Sequence, residues 1–374
     1  MKKFRHKILI GLMTITTIFG ASACGTPAAT ESDLISAPES ESSVSGPTWE
    51  DNAANEKIMP RPLVNDGVKE ELLDDLNFSR GLAISKFHSN TSGGIPFGTL
   101  DYGGIAADGE NVWSMGQWGC TRNMMDATFR RDGSVLSYYD GSKTFEVDSA
   151  ATGRVKLGIK GSVEYGTDEN GQIRDRLTSS ENWPHNIIGQ NFHARSFKGA
   201  QKIYWECDYN VTQCDRLTGY PVDPALHAAQ FQWFVSMTNL NPESESYQQS
   251  MWFGFSMFDT RAIGSTPSGM AAYDGGKEDN TGMFIYMFSL SQVDVSTEGN
   301  RVDLPSSVIG RDRSVRVDVV PFIKAGLKSA QKQGALKGAT INDLVLGSTN
   351  IGWEIPGNYD CMVEIRRMNM YIEK

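Results

Sequence analysis

Short runs of alternating apolar and polar residues, separated by turn sequences, recur along most of this chain. Val155–Ile159, Val315–Val319 and Met362–Ile365 each alternate between the two residue types. Turn sequences that contain Gly and Asp lie between such runs, as at Arg131–Ser134 and Tyr139–Ser142. Successive side chains of a strand point to opposite faces of a sheet, so this alternation is typical of strands with one buried face. The pattern predicts an all-β fold, either a sandwich or a barrel.

The alternating pattern continues from residue 56 to the C-terminus without a second linker-like segment. No repeat of fixed period is visible, which disfavours a propeller or a β-helix. A stretch of this length can bury a full hydrophobic core. We therefore predict a single β-sandwich domain over residues 56–374.

Two stretches of the chain predict short helices beside the strands. Val68–Leu76 has apolar residues at positions 68, 72, 73 and 76, which is a helical spacing. Val320–Gln333 has Pro321 near its start and Gly334 just beyond its end. Pro in the first turn and Gly after the last turn are common helix boundaries.

The N-terminus has the three parts of a secretory signal peptide. Four basic residues among the first seven precede an apolar run, Ile8–Phe19, and small residues follow at Ala21–Ala23. The apolar run is too short to span a bilayer. Together with Cys24, the small residues resemble a bacterial lipobox, which implies a lipid such as palmitate on the Cys24 thiol. The alternative is an ordinary signal peptide followed by a chance cysteine.

The residues after Cys24 predict a flexible tether. Residues 25–48 consist mainly of Gly, Thr, Pro, Ala, Ser and Glu, a composition that cannot bury enough apolar surface to fold. We expect a signal peptide over residues 1–23 and a lipidated N-terminus with a disordered linker over residues 24–55. The protein would then be lipid-anchored on the extracytoplasmic face of the cell membrane, outside the cell, with the lipid as its one membrane contact.

The charge of the mature chain limits its partners. The signal peptide holds four of the 35 basic residues and none of the 45 acidic ones, so 31 basic residues remain and the formal charge becomes −14. Nucleic-acid phosphates need a basic surface, so this balance argues against a nucleic-acid partner. It does not exclude neutral ligands such as glycans. We expect a monomer.

The C-terminal region resembles a known fold. The second predicted helix is followed by a predicted strand at Ile341–Gly347, a Gly- and Pro-bounded segment at Asn350–Gly357, and a long closing strand at Cys361–Ile372. This order resembles the C-terminal end of galactose-binding-like jelly rolls, the fold of many carbohydrate-binding modules. Residues 110–374 also resemble uncharacterised secreted proteins of carbohydrate-degrading gut bacteria. The resemblance implies a jelly-roll β-sandwich, with a concanavalin-like sandwich as the alternative.

Several tryptophans have neighbours suited to a sugar site. Sugar rings stack their apolar faces on aromatic rings and bond their hydroxyls to amides and carboxylates. Trp118 and Trp183 lie next to Gly or Pro, which places them near loops, and His185 follows Trp183 closely. These three residues are candidate ligand contacts. The alternative is that these aromatic side chains pack in a β-core.

Two predicted strands add polar candidates. In the strand over residues 202–211, Tyr204, Glu206 and Asp208 share one face; in the strand over residues 228–237, Gln230 and Gln232 share one face. A concave sheet lined by these carboxylates and amides would form a glycan groove. The alternative is a solvated outer sheet.

Two further polar groups are weaker candidates. Asp259 and Arg261 lie two residues apart at a strand end, as a ligand clamp or as a structural ion pair. The loop that contains Asp274, Glu278 and Asp279 is rich in oxygen donors, so a structural Ca²⁺ is a candidate there. An ordinary surface loop is the favoured reading, and we predict no other cofactor.

The remaining cysteines permit, but do not require, disulfides. An exported protein with Cys120, Cys207, Cys214 and Cys361 allows two bridges in three connectivities. Cys207 and Cys214 are close enough in sequence to be joined across a strand end and its turn. Free buried thiols are the alternative.

These features together predict a surface-tethered lipoprotein that binds carbohydrate without cleaving it. The alternative is a glycoside hydrolase or polysaccharide lyase on the same β-sandwich, with Glu206 and Asp208 as the catalytic carboxylates. A structural or partner-binding lipoprotein without a ligand groove is a further alternative. The identity of the glycan does not follow from the sequence.

Overall fold

The computed structural model describes residues 56–85, 97–275, 281–304 and 309–373. They lie in one compact unit that spans Asn52–Lys374. The described strands, in chain order, are β1 Lys69–Glu71, β2 Leu82–Ile84, β3 Gly98–Leu100, β4 Trp113–Gly116, β5 Thr128–Asp132, β6 Val135–Tyr139, β7 Thr144–Asp148, β8 Val155–Lys160, β9 His185–Ser196, β10 Lys202–Asp215, β11 Gln230–Asn239, β12 Ser250–Asp259, β13 Met270–Tyr273, β14 Phe284–Met287, β15 Arg301–Asp303, β16 Asp312–Asp318, β17 Leu344–Glu354 and β18 Asp360–Glu373.

Helices are few among the described residues. The α-helices are α1, Gly161–Glu164, and α2, Val320–Lys332. Short 3-10 helices lie at Tyr102–Gly104, Met124–Asp126, Thr260–Ala262, Leu290–Gln292 and Ile341–Asp343. In the part of the chain that the structure describes, no helix has the length and apolar character needed to cross a membrane.

The described strands form two nine-stranded sheets. Sheet A has the order β15-β16-β10-β18-β8-β7-β6-β5, and β1 also pairs with β18. Sheet B has the order β13-β14-β12-β11-β17-β9-β4-β2-β3. The chain crosses between the sheets repeatedly, since β8, β10, β16 and β18 belong to sheet A whereas β9, β11 and β17 belong to sheet B. The predicted jelly-roll β-sandwich is confirmed.

The inner faces of the two sheets pack together to form the core. The Trp205 ring of sheet A lies 5.2 Å from the Trp233 ring of sheet B, measured between centroids. Trp353 donates its indole N–H across the sandwich to the Leu157 carbonyl at 3.0 Å. These aromatic side chains are almost fully buried. Burying a large apolar side chain contributes about 1.5–3 kcal/mol, so the alternating inner positions supply much of the fold's stability.

One of the two predicted helices is confirmed. The helix α2 begins with Val320 and Pro321 and buries Ile323 and Leu327. The predicted helix at Val68–Leu76 is wrong. Its first part is the strand β1, which pairs antiparallel with β18, and Leu72–Leu76 continues as non-helical chain with three buried leucines. A nine-residue segment with few apolar positions is too short to be helical by itself, so edge pairing with β18 decides its conformation.

The C-terminal strands differ in their bounds from the sequence prediction. The strand predicted at Ile341–Gly347 begins instead with a 3-10 helix, Ile341–Asp343. Its remainder and most of the predicted segment Asn350–Gly357 form the single strand β17, of which Glu354 is the last residue. The predicted turns at Arg131–Ser134 and Tyr139–Ser142 do join consecutive strands, and their glycines adopt positive φ.

The cysteines among the described residues are unbridged. The expectation that Cys207 and Cys214 are close enough to be joined is wrong. Both lie in the continuous strand β10, seven residues apart and therefore about 23 Å apart along it. A disulfide needs Cα atoms within about 7 Å.

The N-terminal predictions concern residues outside the described part of the chain. These are the signal peptide, the lipid-bearing Cys24 and the linker. They stay predictions, as does the single domain over residues 56–374.

Candidate functional site

A cavity of about 1070 Å³ lies on the outer face of sheet B, and we call it the sheet-B groove. Its lining comes from strands across most of the sheet. Its lining includes Trp118, Trp183, His185, Gln230, Gln232, Trp252, Asp259, Arg261 and Glu354. Seven of these nine residues were predicted from the sequence as candidates, and the structure brings them together; Trp252 and Glu354 were not predicted.

Strand alternation places polar side chains in this groove. On β11, Phe231, Trp233 and Val235 point into the core and are almost fully buried. Gln230 and Gln232 occupy the alternate positions and line the groove. The groove therefore presents amides next to aromatic rings, while the same strand holds the sandwich together from its other face.

Glu354 is the centre of a cluster at one end of β17. The Trp183 indole N–H donates to Glu354 Oε2 at 3.1 Å. His185 Nε2 lies 3.6 Å from the same oxygen. His185 Nδ1 lies 3.0 Å from the Trp118 carbonyl, which can only accept, so Nδ1 carries a hydrogen. The Nε2 atom of His185 therefore faces the Glu354 carboxylate.

The aromatic rings of this cluster are held in place by neighbours. The Arg176 guanidinium lies 4.7 Å from the Trp183 ring centroid, a cation–π distance. The Trp118 ring meets His185 edge to face, at 5.7 Å between centroids. Both tryptophans keep part of their surface exposed. They are positioned rings with accessible surface, as ring stacking with a ligand requires.

Asp259 is bound by its neighbours on the other side of the groove. Its carboxylate accepts from Arg261 Nε at 3.0 Å and from Arg261 Nη2 at 2.6 Å. Gln230 Nε2 also donates to it, at 3.0 Å. The hydrogen bond to Asp259 raises the pKa of Arg261, so the guanidinium keeps its charge beside this carboxyl group. The contacts match the structural ion pair that the sequence left open.

Glu354, Gln230 and Asp259 form a row across three neighbouring strands. Gln230 of β11 pairs with Glu354 of β17 and with Asp259 of β12. Adjacent strands lie about 4.8 Å apart, so the Cα atoms of the two acidic residues are about 10 Å apart. The row can bind hydroxyl groups through a carboxylate and an amide.

Three candidate residues lie on the opposite side of the molecule. Tyr204, Glu206 and Asp208 are on the outer face of sheet A, where Asp208 contacts Arg301 at 3.2 Å and Arg367 at 3.0 Å. The expected groove that combines Glu206 and Asp208 with Gln230 and Gln232 is therefore wrong. Alternation assigns a face within one strand, but β10 and β11 belong to different sheets, whose outer faces point in opposite directions.

Sequence reasoning missed two groove residues, Glu354 and Trp252. Glu354 lies in the Gly- and Pro-bounded segment Asn350–Gly357 and was not chosen as a candidate, although alternation from the inward Trp353 puts it on the outer face. Trp252 alternates in the same way with the buried Phe253. The alternation of β12 and β17 could have shown that both residues point outward. It could not have shown that they share a groove, because that requires knowing that both strands lie beside β11.

The loop considered as a weak Ca²⁺ candidate is only partly described. Asp274 accepts hydrogen bonds from the backbone N–H and the hydroxyl of Thr281, each at 2.7 Å. Glu278 and Asp279 lie outside the described residues. Within the described ranges, no group of three or more His, Cys, Asp or Glu side chains could hold a metal ion.

Comparisons with known proteins give weak overlaps. No protein-family model matches the chain, and no curated protein matches it. The solved endo-1,4-β-glucanase CelB2, a cellulase, overlaps 66% of this chain and 97% of its own at 12% identity, with a TM-score of 0.32. A family 12 xyloglucanase from Bacillus licheniformis overlaps 68% and 99% at 8% identity, with a TM-score of 0.35. A family 11 xylanase from Neocallimastix patriciarum overlaps 66% and 95% at 12% identity, with a TM-score of 0.29. Scores this low carry no argument about activity.

Proposed function

We propose that the sheet-B groove binds a neutral carbohydrate and does not cleave it. The observation that carries this proposal is the combination of partly exposed Trp118, Trp183 and Trp252 with Gln230, Gln232 and Glu354 in one cavity of about 1070 Å³. Aromatic rings offer stacking surfaces for the C–H faces of sugars. Amides and a carboxylate offer acceptors and donors for sugar hydroxyls.

The charges in the groove favour a neutral ligand. The Arg261 charge is matched by Asp259 at 2.6 Å. Glu354 lies within 3.6 Å of His185 and accepts from the Trp183 indole. The pairing of Arg261 leaves it little attraction for an acidic sugar. Stacking and neutral hydrogen bonds would then supply most of the affinity.

The contacts of Asp259 favour binding over cleavage. A two-carboxylate hydrolase needs one acid and one base or nucleophile, both able to reach the substrate. Both Asp259 oxygens accept hydrogen bonds from Arg261, and one also accepts from Gln230. Glu354 is then more accessible to a ligand than Asp259. A single accessible carboxylate is sufficient to bind a sugar hydroxyl but not to supply both groups of a two-carboxylate hydrolase.

A glycoside hydrolase is the second candidate function. Its supporting observation is that Glu354 and Asp259 share the groove face, with Cα atoms about 10 Å apart. Carboxyl groups about 6.5–9.5 Å apart suit an inverting mechanism with a water between them. If this candidate is correct, release of reducing ends will be abolished by Glu354→Gln and by Asp259→Asn.

Affinity gel electrophoresis with β-glucan, xyloglucan, xylan and mannan, beside a reducing-end assay on the same polymers, tests both candidates. We expect retardation by at least one polymer without release of reducing ends. Trp183→Ala and Gln232→Ala should weaken the retardation. Asp208→Asn, on the outer face of sheet A, is the matched control and should not. No binding and no cleavage across the panel would remove both candidates and favour a partner-binding lipoprotein.

The groove is held outside the cell by a lipid on Cys24. The support for this anchor is the basic N-terminus, the apolar run and the small residues before Cys24, followed by a segment whose composition is typical of a linker. Cys24→Ser should release the protein from the membrane fraction or block its processing. Unchanged membrane association of that variant would contradict the anchor and leave the carbohydrate proposal standing.

A further inference from the structure

Two cysteines face each other across neighbouring strands of sheet A. Cys214 of β10 is the direct register partner of Cys361 of β18. Their sulfur atoms lie 3.4 Å apart. The flanking pairs, Gln213 with Met362 and Asp215 with Asp360, keep the same antiparallel register on both sides. The closeness of the two thiols therefore follows from the pairing of two long strands.

This arrangement meets the requirements of a disulfide without backbone movement. Directly opposed residues of an antiparallel pair have Cα atoms about 4.5–5.5 Å apart. Disulfides span Cα separations of about 4.4–6.8 Å with a sulfur–sulfur bond of about 2.05 Å. Side-chain rotation alone can bring the sulfurs of Cys214 and Cys361 from 3.4 Å to bonding distance.

The other two described cysteines lack such a partner position. Cys207 is fully buried and lies opposite Val315 and Met368. The Cys120 sulfur contacts the His185 carbonyl at 3.2 Å, beside the groove and away from β18. The structure therefore distinguishes one of the possible connectivities among these four residues.

We propose that Cys214 and Cys361 form a disulfide in the exported protein by exchange with a low-molecular-mass disulfide. The Cys214 thiolate attacks one sulfur of that disulfide, forms a mixed disulfide and releases one thiolate. The Cys361 thiolate then attacks the Cys214 sulfur and displaces the second. The two cysteine protons end on the two released thiols, so the protein is oxidised and the small disulfide is reduced.

The environment of the two thiols sets the order of these steps. Cys361 is buried, and that burial raises the pKa of its thiol, which disfavours it as the first nucleophile. Cys214 is partly exposed and is therefore the residue that a small disulfide can reach. The bond would close a loop between positions 147 residues apart and restrict the unfolded chain.

Peptide mapping after oxidation tests this proposal. The purified full-length protein is kept in a buffer of mainly oxidised glutathione, either folded or after unfolding and refolding in that buffer. Acid then stops the exchange, and free thiols are alkylated in denaturant after the pH is returned to neutral. We expect a peptide pair joined through Cys214 and Cys361, with Cys120 and Cys207 alkylated. Oxidation should raise the thermal unfolding midpoint by about 5 °C.

Two variants make the result decisive. Cys214→Ser should remove the crosslink and the rise in the unfolding midpoint. Cys207→Ala should keep both, since Cys207 takes no part in the bond. The proposal is overturned if Cys214 and Cys361 are both alkylated in the folded and the refolded samples, or if either is joined to Cys120 or Cys207.

Discussion

The outer faces of sheets A and B carry polar side chains at the same alternate positions, yet these side chains have different partners. On sheet A, Asp208 contacts Arg301 and Arg367, and the Arg316 guanidinium lies 4.0 Å from the Tyr204 ring. On sheet B, the outward side chains of β11 and β12 that line the cavity include Gln230, Gln232 and Trp252. One face pairs its own charges, whereas the other presents aromatic rings and amides to a cavity.

This difference shows what alternation can and cannot indicate. A polar residue at every second position means an outward face in both sheets. Whether that face binds anything depends on the pairing between strands. On sheet A, paired strands bring opposite charges together; on sheet B, they bring Gln230 between Glu354 and Asp259.

The largest expected effect is on ligand affinity at sheet B. Trp252→Ala should lower the affinity for a bound polysaccharide about 30-fold, or about 2 kcal/mol, because a partly exposed ring at a binding site carries a large share of the contact. Calorimetric titration measures this. Tyr139→Ala removes an exposed ring from the outer face of sheet A and is the control. Equal losses in both variants would erase the distinction between the faces.

The next effect concerns stability on the sheet-A face. Glu71 is buried there and accepts hydrogen bonds from Arg61, from the Val64 N–H and from Asn369. Burial opposes ionisation, but these hydrogen bonds outweigh it, so the pKa of Glu71 lies below its ordinary value of 4.5. Glu71→Gln should lower the free energy of unfolding at neutral pH by about 1–2 kcal/mol.

The same carboxyl group predicts an acid dependence. Because the pKa of Glu71 is lower in the folded state, its contribution to stability is present above pH 4.5 and is lost as the pH falls below that value. Urea unfolding as a function of pH should show a smaller loss between neutral and acidic pH in Glu71→Gln than in the wild type. An identical slope in both proteins would contradict this role.

A smaller effect is expected from the exposed ion pairs of sheet A. Asp208→Asn removes its charge from contacts with two partly exposed arginines, so the free energy of unfolding should change by less than about 1 kcal/mol. Thermal unfolding at low salt measures it. A decrease in the free energy of unfolding several times larger would show that ion pairs contribute strongly to the stability of this face.

The smallest effect is that of salt on binding. Because stacking and neutral hydrogen bonds dominate the proposed contacts, raising sodium chloride from about 0.05 to about 0.5 M should change affinity less than about two-fold. A steep decline with salt would show that the ligand is charged, and the Asp259–Arg261 pair would then be the first place to look for its contact.

The local sequence pattern predicted several strands and one helix, whereas the pairing of distant strands determines which residues line the sheet-B groove. Alternation and boundary residues were sufficient for β8, β16 and α2, because these features act within a few neighbouring positions. The strand at Lys69–Glu71 was missed since its conformation depends on β18, about 300 positions later. Glu206 and Gln232 were joined in one groove because nothing local shows which sheet a strand enters. Glu354 enters the groove only through its pairing with Gln230.

The most direct test of carbohydrate binding in the sheet-B groove is a crystal structure with an oligosaccharide from the polymer that retards the protein in the gel. The account predicts sugar density in the sheet-B groove, with a ring stacked on Trp118, Trp183 or Trp252 and hydroxyls within hydrogen-bond distance of Gln232 or Glu354. It also predicts an unbroken glycosidic bond at the row formed by Glu354, Gln230 and Asp259. Sugar density on the outer face of sheet A, over Glu206 and Asp208, with an empty sheet-B groove would contradict it.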